Sequence, residues 1–166
     1  MARFHGRDFP VRTGRGGFRT DKREGDGATP VGVWRLTQVF WRADRLPRPF
    51  AALPRAPIGP RMGWSDDPAC PRYNRAVALP RTASAERMRR ADRLYDVVVV
   101  TDHNAAGAPG LGSAIFLHLR RGPGHPTAGC VAFRRADLLW ILSRWRPSSR
   151  MVAGGPMAHG AGLRSR

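Results

Sequence analysis

The sequence predicts a mainly β fold, a sandwich or barrel with long loops and one helix late in the chain. Its 166 residues include 19 glycines and 15 prolines, which favours short strands joined by turns over a helical bundle. Residues 31–40 alternate apolar and polar side chains, and residues 97–101 form a valine-rich run between polar segments. With 42% hydrophobic and 25% charged residues, the composition is that of a globular protein.

In the first half of the chain we expect three strands joined by irregular segments. Residues 9–13 form a short candidate strand before a glycine-rich turn, and residues 31–40 form the second. Residues 42–61 are rich in proline and are predicted to be a long loop, which in a compact domain is usually functional or mobile. A third strand is expected at 76–79, and a short helix at 84–91, capped by its first residue, a serine.

The second half contains the clearest pattern. The valine run at 97–101 predicts a buried central strand, and a further strand is expected at 113–119 after a Gly/Pro loop. Residues 137–145 carry leucines, an isoleucine and a tryptophan at helical spacing, and Pro147 ends that helix. A last short strand is expected at 150–152.

Residues 1–153 are predicted to form a single domain, because no repeat or linker divides them. The glycine-rich basic tail, residues 154–166, is expected to be disordered. No apolar run approaches the roughly 20 residues of a membrane span. Residues 1–20 lack the apolar core of a secretory signal peptide, so either the protein is not exported by that route or the signal is missing from this chain.

The chain is strongly basic, with a formal net charge of +17. Lys22 is the only lysine among 29 basic residues, so the other 28 are arginines, and they are scattered along the whole sequence. No nucleic-acid-binding motif with interleaved aromatic residues is present, so we expect no specific nucleic-acid partner. The charge favours a solvated basic surface, and it is also compatible with an anionic polymer such as bacterial cell wall.

Two cysteines, Cys70 and Cys130, are too few for a disulfide framework or a metal cluster. The five histidines show no spacing typical of zinc ligands, so we expect no metal site. If the compartment is oxidising, the two cysteines could pair and disable a nucleophile. We therefore expect Cys70 to be buried or distant from Cys130.

One stretch combines residue types, spacing and secondary structure suited to catalysis. An apolar strand ends on His118, and twelve residues later a Thr/Gly turn leads to Cys130. A cysteine nucleophile needs a histidine base within hydrogen-bond reach, and neighbouring strands joined by a short loop provide it. The Gly129-Cys130 turn exposes backbone N–H groups that can form an oxyanion hole. On chemistry alone, a structural histidine and an inert cysteine are about equally good interpretations.

This stretch resembles the signature of the YkuD-type L,D-transpeptidases of peptidoglycan. The similarity includes Ile115-Phe116-Leu117-His118 and Thr127-Ala128-Gly129-Cys130-Val131, and it extends to the Thr-Pro-x-Gly turn at residues 29–32. It also includes the strand at 97–104 and the helix after the cysteine, and so covers residues 9–152. The chain resembles a divergent short member of the family. The resemblance implies a YkuD-like β-sandwich.

The resemblance also implies a mechanism. Cys130 would attack the diaminopimelate carbonyl of a donor stem peptide, release the terminal D-Ala and form a thioester, which an acceptor amine then resolves. His118 would be the base, oriented by a backbone carbonyl near Leu119, and the N–H groups of Gly129 and Cys130 would stabilise the oxyanion. The implied mechanism needs no metal or cofactor, and the implied partners are donor and acceptor stem peptides and carbapenem-type inhibitors. The implied location is the periplasm or cell envelope, and a monomer is the default.

The motif departs from the usual family pattern at three points. Ala128 stands where the motif has a histidine, Ala132 where an arginine is frequent, and the loop after His118 is short. His125 or Arg134 could compensate for the lost polar group. By similarity to short Gram-negative members, we favour 1→3 cross-links between L-Ala and diaminopimelate over 3→3 cross-links.

Other residues are weaker candidates. Asp66 and Asp67 could bind the diaminopimelate ammonium and Arg134 a peptide carboxylate, while ordinary turn and surface roles are the alternatives. The full set of candidate substrate-binding residues is Thr127, Arg134, Asn104, Tyr73, Asn74, Asp66 and Asp67. Competing functions are an L,D-carboxypeptidase or endopeptidase on the same scaffold, and a non-catalytic basic protein that binds polyanions.

Overall fold

The computed structural model describes residues 1–154. The predicted disordered tail, residues 154–166, lies outside these residues except for Gly154. In chain order the elements are β1 (Ala2–Phe4), β2 (Arg7–Phe9), β3 (Phe18–Arg19), β4 (Thr29–Pro30), β5 (Gly32–Trp34), β6 (Leu36–Trp41), β7 (Arg55–Pro57), β8 (Met62–Ser65), β9 (Ala76–Ala78), β10 (Ala85–Arg87), β11 (Val97–Thr101), β12 (Phe116–Leu119), β13 (Val131–Phe133), α1 (Arg135–Leu142) and β14 (Met151–Ala153). The mainly β architecture predicted from the sequence is confirmed.

The centre of the fold is a five-stranded sheet in the order β13-β12-β11-β6-β7. The middle strand, β11, pairs antiparallel with β12 and β6, whereas the outer pairs β12–β13 and β6–β7 are parallel. β11 has the bounds that its valine run predicts. A central strand covered on both faces needs apolar side chains at successive positions, which explains the run.

The two faces of this sheet pack into two hydrophobic clusters. Val97 and Val99 point into the larger cluster, and Val98 points into the smaller one with Phe40 and Phe116. This division follows the two-residue period of a strand. The sheet is therefore the middle layer of a sandwich.

Helix α1 covers the larger cluster. Leu138, Ile141 and Leu142 are buried on one face of the helix, at the i, i+3, i+4 spacing that predicted it. The helix begins and ends slightly earlier than residues 137–145, but Trp145 still packs into the same cluster. At eight residues, this only helix of residues 1–154 is too short to cross a membrane.

The other face is covered by a three-stranded antiparallel sheet in the order β10-β8-β9. The prediction of a helix at residues 84–91 is wrong, because its first part is strand β10. Pairing with β8 places Glu86 opposite Trp64, and Met88 is fully buried in the smaller cluster. Tertiary pairing and burial of Met88 outweigh the weak helical preference of this short segment.

Three other predicted segments need adjustment. The loop at 42–61 includes strand β7, which extends the central sheet beside β6. The strand at 31–40 is divided into β5 and β6 at Arg35, where the backbone pairs with Asp102 instead. β5 then leaves the central sheet and pairs with β14. The strand at 9–13 is β2 followed by a single bridge between Arg12 and Ala132.

Candidate active site

His118 and Cys130 lie on neighbouring strands of the central sheet. His118 is on β12, aligned with Ala132 of the parallel strand β13, and Cys130 immediately precedes β13. Phe116 and His118 share one face of β12, and that face carries the smaller hydrophobic cluster. Cys130 packs against the same cluster, so strand alternation brings the histidine and the cysteine to one side of the sheet.

The imidazole of His118 is fixed in orientation and tautomer. Its Nδ1 lies 2.8 Å from the carbonyl oxygen of Leu119. Because a carbonyl can only accept, Nδ1 carries the proton and Nε2 is left as an acceptor. The ring of Tyr95 packs edge-on against it, with centroids 5.3 Å apart. Burial lowers the pKa of His118 to about 4, so the ring is neutral at pH 7.

The thiol of Cys130 is held by the backbone of the segment before β12. Its Sγ donates to the carbonyl oxygen of Ala114 at 3.1 Å and accepts from the N–H of Phe116 at 3.4 Å. Burial raises the pKa of the Cys130 thiol to about 12. Within residues 1–154, no hydrogen bond joins Cys130 to His118, so the thiol must turn away from Ala114 to reach the imidazole.

The turn before Cys130 is held by a threonine hydroxyl. Thr127 Oγ1 donates to the carbonyl of Cys130 at 2.7 Å and accepts from the N–H of Gly129 at 3.1 Å. The expected role of the Gly129 N–H in an oxyanion hole therefore conflicts with its position, since that group is already engaged. Among the described residues, the Cys130 N–H has no acceptor and remains available.

Gly129 cannot be replaced without distorting this turn. Its φ is +141°, and a Cβ atom there would approach the carbonyl oxygen of Ala28 to 2.8 Å. The same region of chain is pinned by Thr29, whose hydroxyl donates to the Gly129 carbonyl at 2.9 Å and accepts from the N–H of Gly14 at 2.8 Å. Thr29 is fully buried. We refer to Gly14, Thr29 and Gly129 as the threonine latch.

Ala114, the acceptor of the thiol, is itself held in an unusual conformation. Its φ is +53°, a region that a non-glycine residue rarely adopts. The amide oxygen of Asn74 accepts from the N–H of Ala114 at 3.0 Å and from the indole of Trp64 at 2.9 Å. The Asn74 amide nitrogen donates to the carbonyl of Asn104 at 2.9 Å. Buried Asn74 therefore positions the carbonyl that binds the Cys130 thiol.

A pocket of about 370 Å³ opens over the histidine and the cysteine. Its lining residues are residue 24 and members of two stretches, 66–95 and 113–132. They are Glu24, Asp66, Glu86, Arg90, Leu94, Tyr95, Ser113, Ala114, Ile115, His118, Arg121, His125, Pro126, Thr127, Ala128, Cys130 and Ala132. The pocket is large enough for part of a peptide substrate and carries both charged and apolar groups.

Of the seven candidate substrate-binding residues, only Thr127 and Asp66 line this pocket together with His118 and Cys130. Asp67 instead accepts from the backbone of Ala69 in a local turn. Arg134 is exposed at the start of α1 and makes no side-chain capping bond. Of the two residues considered as compensation for Ala128, His125 lines the pocket and Arg134 does not.

The other three candidates are structural. Tyr73 is buried, and its hydroxyl donates to Glu24. Asn74 supports Ala114, as described above. Asn104 closes the loop after β11 by donating to the carbonyls of Ala108 and Gly112 at 2.9 and 3.0 Å. These polar residues order the loops behind the pocket and do not line it.

Most of the charged pocket wall carries no signal in the sequence. Glu86 accepts from the hydroxyl of Tyr95 at 2.8 Å and lies 3.4 Å from Arg90. Burial raises the pKa of Glu86. Glu24 and Arg121 also face the pocket. No local motif marks these residues, because, except for the pair Glu86 and Arg90, they lie far apart in sequence and meet only in the folded protein.

Residues 1–154 contain no group of three or more His, Cys, Asp or Glu side chains placed to hold a metal ion. The pocket carries a thiol, a neutral imidazole and charged side chains. A family model, YkuD, described as the L,D-transpeptidase catalytic domain, matches residues 5–152. No curated protein and no solved structure matches the chain.

Proposed function

Because this chain belongs to the YkuD family of L,D-transpeptidase catalytic domains, we propose that it is a cysteine-dependent L,D-transpeptidase that cross-links peptidoglycan. The observation that carries the proposal is the shared pocket of His118 and Cys130. In that pocket the imidazole presents an unprotonated Nε2, because its Nδ1–H is bound to Leu119. Cys130 is the nucleophile and His118 the general base.

The protonation states favour proton transfer during attack over a preformed ion pair. With a thiol pKa near 12 and an imidazole pKa near 4, both groups are neutral at pH 7. The proton therefore moves from Sγ to Nε2 of His118 as sulfur bonds to the carbonyl carbon of diaminopimelate. This resembles serine–histidine chemistry more than that of an activated thiolate.

The remaining steps need only the side chains of Cys130 and His118 and one backbone N–H. The oxyanion of the tetrahedral intermediate accepts from the Cys130 N–H. The bond to the terminal D-Ala breaks, and the leaving amine takes the proton from His118, which leaves a thioester on Cys130. An acceptor amine then attacks the thioester and gives its proton to His118, which returns it to the departing sulfur.

The acceptor defines the product. Attack by the diaminopimelate amine of a second stem peptide gives a 3→3 cross-link, and attack by an L-Ala amine gives a 1→3 cross-link. By similarity to short family members we propose the 1→3 product. Water in place of the amine would make the protein an L,D-carboxypeptidase or endopeptidase, because the acyl-enzyme is the same.

The test is product analysis with purified sacculi or muropeptides. The wild-type protein, Cys130→Ala and the control Cys70→Ser are incubated with the substrate, and the products are separated and fragmented by mass spectrometry. New dimers formed by the wild type and the control, but not by Cys130→Ala, support transpeptidation, and their fragments assign the linkage. Shortened monomers alone would replace the proposal by the hydrolase. An unchanged muropeptide profile with all three proteins would contradict both the transpeptidase and the hydrolase and would favour the polyanion-binding alternative.

Peptidoglycan as substrate places the protein in the cell envelope, and we propose the periplasm, with a monomer as the functional unit. Carbapenems mimic the acyl donor, so we expect them to acylate Cys130. Intact-mass analysis after incubation with a carbapenem measures this directly. An adduct that persists in Cys130→Ala would show that the drug reacts elsewhere.

A further inference from the structure

A second cavity, of about 400 Å³, lies at the end of the central sheet where β6 ends and β11 begins. We call it the arginine cavity, and its lining residues are Arg45, Ala91, Arg93, Asp96 and Arg135. Arg45 follows β6, Asp96 directly precedes β11, and Arg135 is the first residue of α1. Neither His118 nor Cys130 lines this cavity, so it is separate from the pocket over the histidine and the cysteine.

One arginine of the cavity is fixed in place by the protein. Nη1 of Arg45 donates to the Asp96 carboxylate and to the carbonyl of Asp92, both at 2.8 Å, and its Nη2 donates to the carbonyl of Ala91 at 2.9 Å. Asp96 is buried, and its ion pair with Arg45 compensates its charge. These three bonds leave two of the five N–H donors of the guanidinium for a ligand. A side chain that is already held in place loses little entropy on binding.

The other two arginines, Arg93 and Arg135, are exposed and have no ion pair among residues 1–154. The carboxylate of Asp92 is not available to them, because Arg90 donates to both of its oxygens at 2.9 and 2.8 Å. Residues 155–166 contain no aspartate or glutamate that could serve as a partner. Two positive charges therefore face one cavity without a carboxylate to compensate them. An anion in the cavity would remove their mutual repulsion.

The charge and the donors of the cavity suit a phosphate group. A guanidinium is a planar fork of N–H donors that binds phosphate or carboxylate through two parallel hydrogen bonds. A phosphate monoester carries a charge of about −1.5 to −2 at pH 7 and has three acceptor oxygens, which matches two unpaired arginines. A carboxylate or a phosphate diester carries only one negative charge. The volume also leaves room for part of the molecule that carries the phosphate.

We propose that Arg45, Arg93 and Arg135 form a binding site for the phosphate group of a phosphate monoester. The site does not depend on the proposed function, because none of these arginines lines the pocket over Cys130. Binding can therefore be measured without any turnover.

The test is calorimetric titration of the full chain with three small anions. They are glycerol phosphate, which is a monoester, dimethyl phosphate, which is a diester, and acetate. The salt concentration is about 0.15 M, because the net charge of +17 attracts all anions and salt screens this general attraction. We expect glycerol phosphate to bind at least about tenfold more tightly than either of the other two anions. Equal affinities for the three anions would overturn the site.

Variants of the unpaired arginines assign the binding to this cavity. Arg93→Gln and Arg135→Gln are each expected to weaken the binding of glycerol phosphate about fivefold or more, and the double variant at least about twentyfold. Both variants should fold, because neither side chain has an ion pair to lose, and circular dichroism checks this. Arg45 is kept, since its loss would leave buried Asp96 without its partner.

Arg134→Gln is the matched control. It removes the same charge one residue before Arg135, outside the cavity, and Arg134 makes no side-chain capping bond to α1. This variant should bind glycerol phosphate as tightly as the wild type does. An equal loss of affinity in Arg134→Gln and Arg135→Gln would overturn the site in favour of general attraction to a basic surface.

A soluble ester and a lipid headgroup can both present a phosphate monoester, and vesicles distinguish the two sources. The protein is sedimented with phosphatidylcholine vesicles that contain phosphatidic acid, whose headgroup is a phosphate monoester. Sedimentation that the Arg93/Arg135 double variant loses and Arg134→Gln keeps supports the site with a lipid as its ligand. Binding of glycerol phosphate without sedimentation supports it with a soluble ester. The muropeptide profile is a separate measurement, so a failure of the phosphate site leaves the transpeptidase proposal intact, and the reverse also holds.

Discussion

The two cysteines of this protein stand in opposite environments. Cys130 is partly buried at the pocket, donates its thiol proton to the Ala114 carbonyl and has a pKa raised by desolvation to about 12. Cys70 is partly exposed in the loop after β8, where the N–H of Arg72 at 3.4 Å and the guanidinium of Arg81 at 2.8 Å both donate to its sulfur. These donors, chiefly the Arg72 N–H, lower the pKa of Cys70.

A lowered thiol pKa and a position suited to catalysis are found on different cysteines of this protein. Cys70 holds the better resting thiolate, but it lies outside the pocket and has no imidazole beside it. Cys130 is a poor resting thiolate, but it shares the pocket with His118, whose tautomer is fixed, and its own N–H has no acceptor among the described residues. If the proposed mechanism holds, the positions of the base and the oxyanion donor matter more for the choice of nucleophile than the resting pKa does. Both cysteines are free, and the expected separation of Cys70 from the site agrees with its absence from the pocket.

The sharpest test of the comparison is removal of each sulfur. Cys130→Ala is expected to reduce kcat by at least about ten-thousandfold, because no other nucleophile replaces it. Cys70→Ser should keep kcat within about twofold of the wild type. Release of D-Ala from a stem tetrapeptide measures both. Equal losses in the two variants would mean that the contrast between the cysteines has no catalytic meaning.

The base provides the second test. His118→Gln is expected to reduce kcat/KM by about a hundredfold to ten-thousandfold, since it removes proton transfer during attack. In the wild type, the imidazole accepts a proton only when it is unprotonated, and its pKa is about 4. Activity governed by this group is therefore retained from pH 7 down to about pH 5 and lost as the pH falls through 4. A loss of activity with an apparent pKa near 6.5 would contradict a neutral thiol–imidazole pair.

Alkylation by iodoacetamide tests the resting thiols directly. At pH 7 the thiolate fraction of Cys130 is far below that of Cys70, because desolvation raises the pKa of Cys130 to about 12 whereas hydrogen-bond donors lower the pKa of Cys70. The higher nucleophilicity of the more basic thiolate recovers only part of this difference. We expect Cys70 to be labelled at least about tenfold faster, by peptide mapping. The Cys130 rate should rise tenfold per pH unit from 7 to 9, and a plateau in that range would reveal a preformed thiolate.

The smallest expected effect concerns the partner of Cys70. Arg81→Ala removes the guanidinium that donates to Cys70, so the pKa of Cys70 should rise and its alkylation at pH 7 should slow about twofold to fivefold. Arg72→Ala is the matched control, because the backbone N–H of residue 72 makes the contact and survives the substitution. A slower rate in the control alone would mean that exposure, rather than Arg81, governs Cys70.

The sequence predicted those elements in which local pattern and tertiary role agree. The valine run at 97–101 is buried on both faces, and Leu138, Ile141 and Leu142 share the buried face of α1. In both elements the spacing of apolar residues in the sequence matches the burial of their side chains. The helix predicted at 84–91 was wrong because burial of Met88 and pairing with β8 decide that segment. The strand pairing joins residues 20 to 24 positions apart, which no local pattern records.

The candidate site shows the same limit. The sequence brought His118 and Cys130 together through a motif and a short connection between strands, and both line the pocket. It did not identify Glu24 or Glu86, because an isolated glutamate looks the same in a pocket and on a solvated surface. Conversely, Tyr73 and Asn74 were chosen as polar loop residues, and their burial behind the pocket could be recognised only from the fold.

The threonine latch has a consequence for the synthesis of the protein. Thr29 and Gly129 are separated by 100 residues, and the segment at Arg12 and Gly14 pairs directly with Ala132 and Thr127. The turn that presents Cys130 is therefore completed only after nearly the whole domain has emerged from the ribosome. Contacts of such long range form slowly, so we expect the turn before Cys130 to be among the last features of the fold to form. In a nascent or truncated chain, Cys130 consequently lacks the ordered turn that holds it at the pocket.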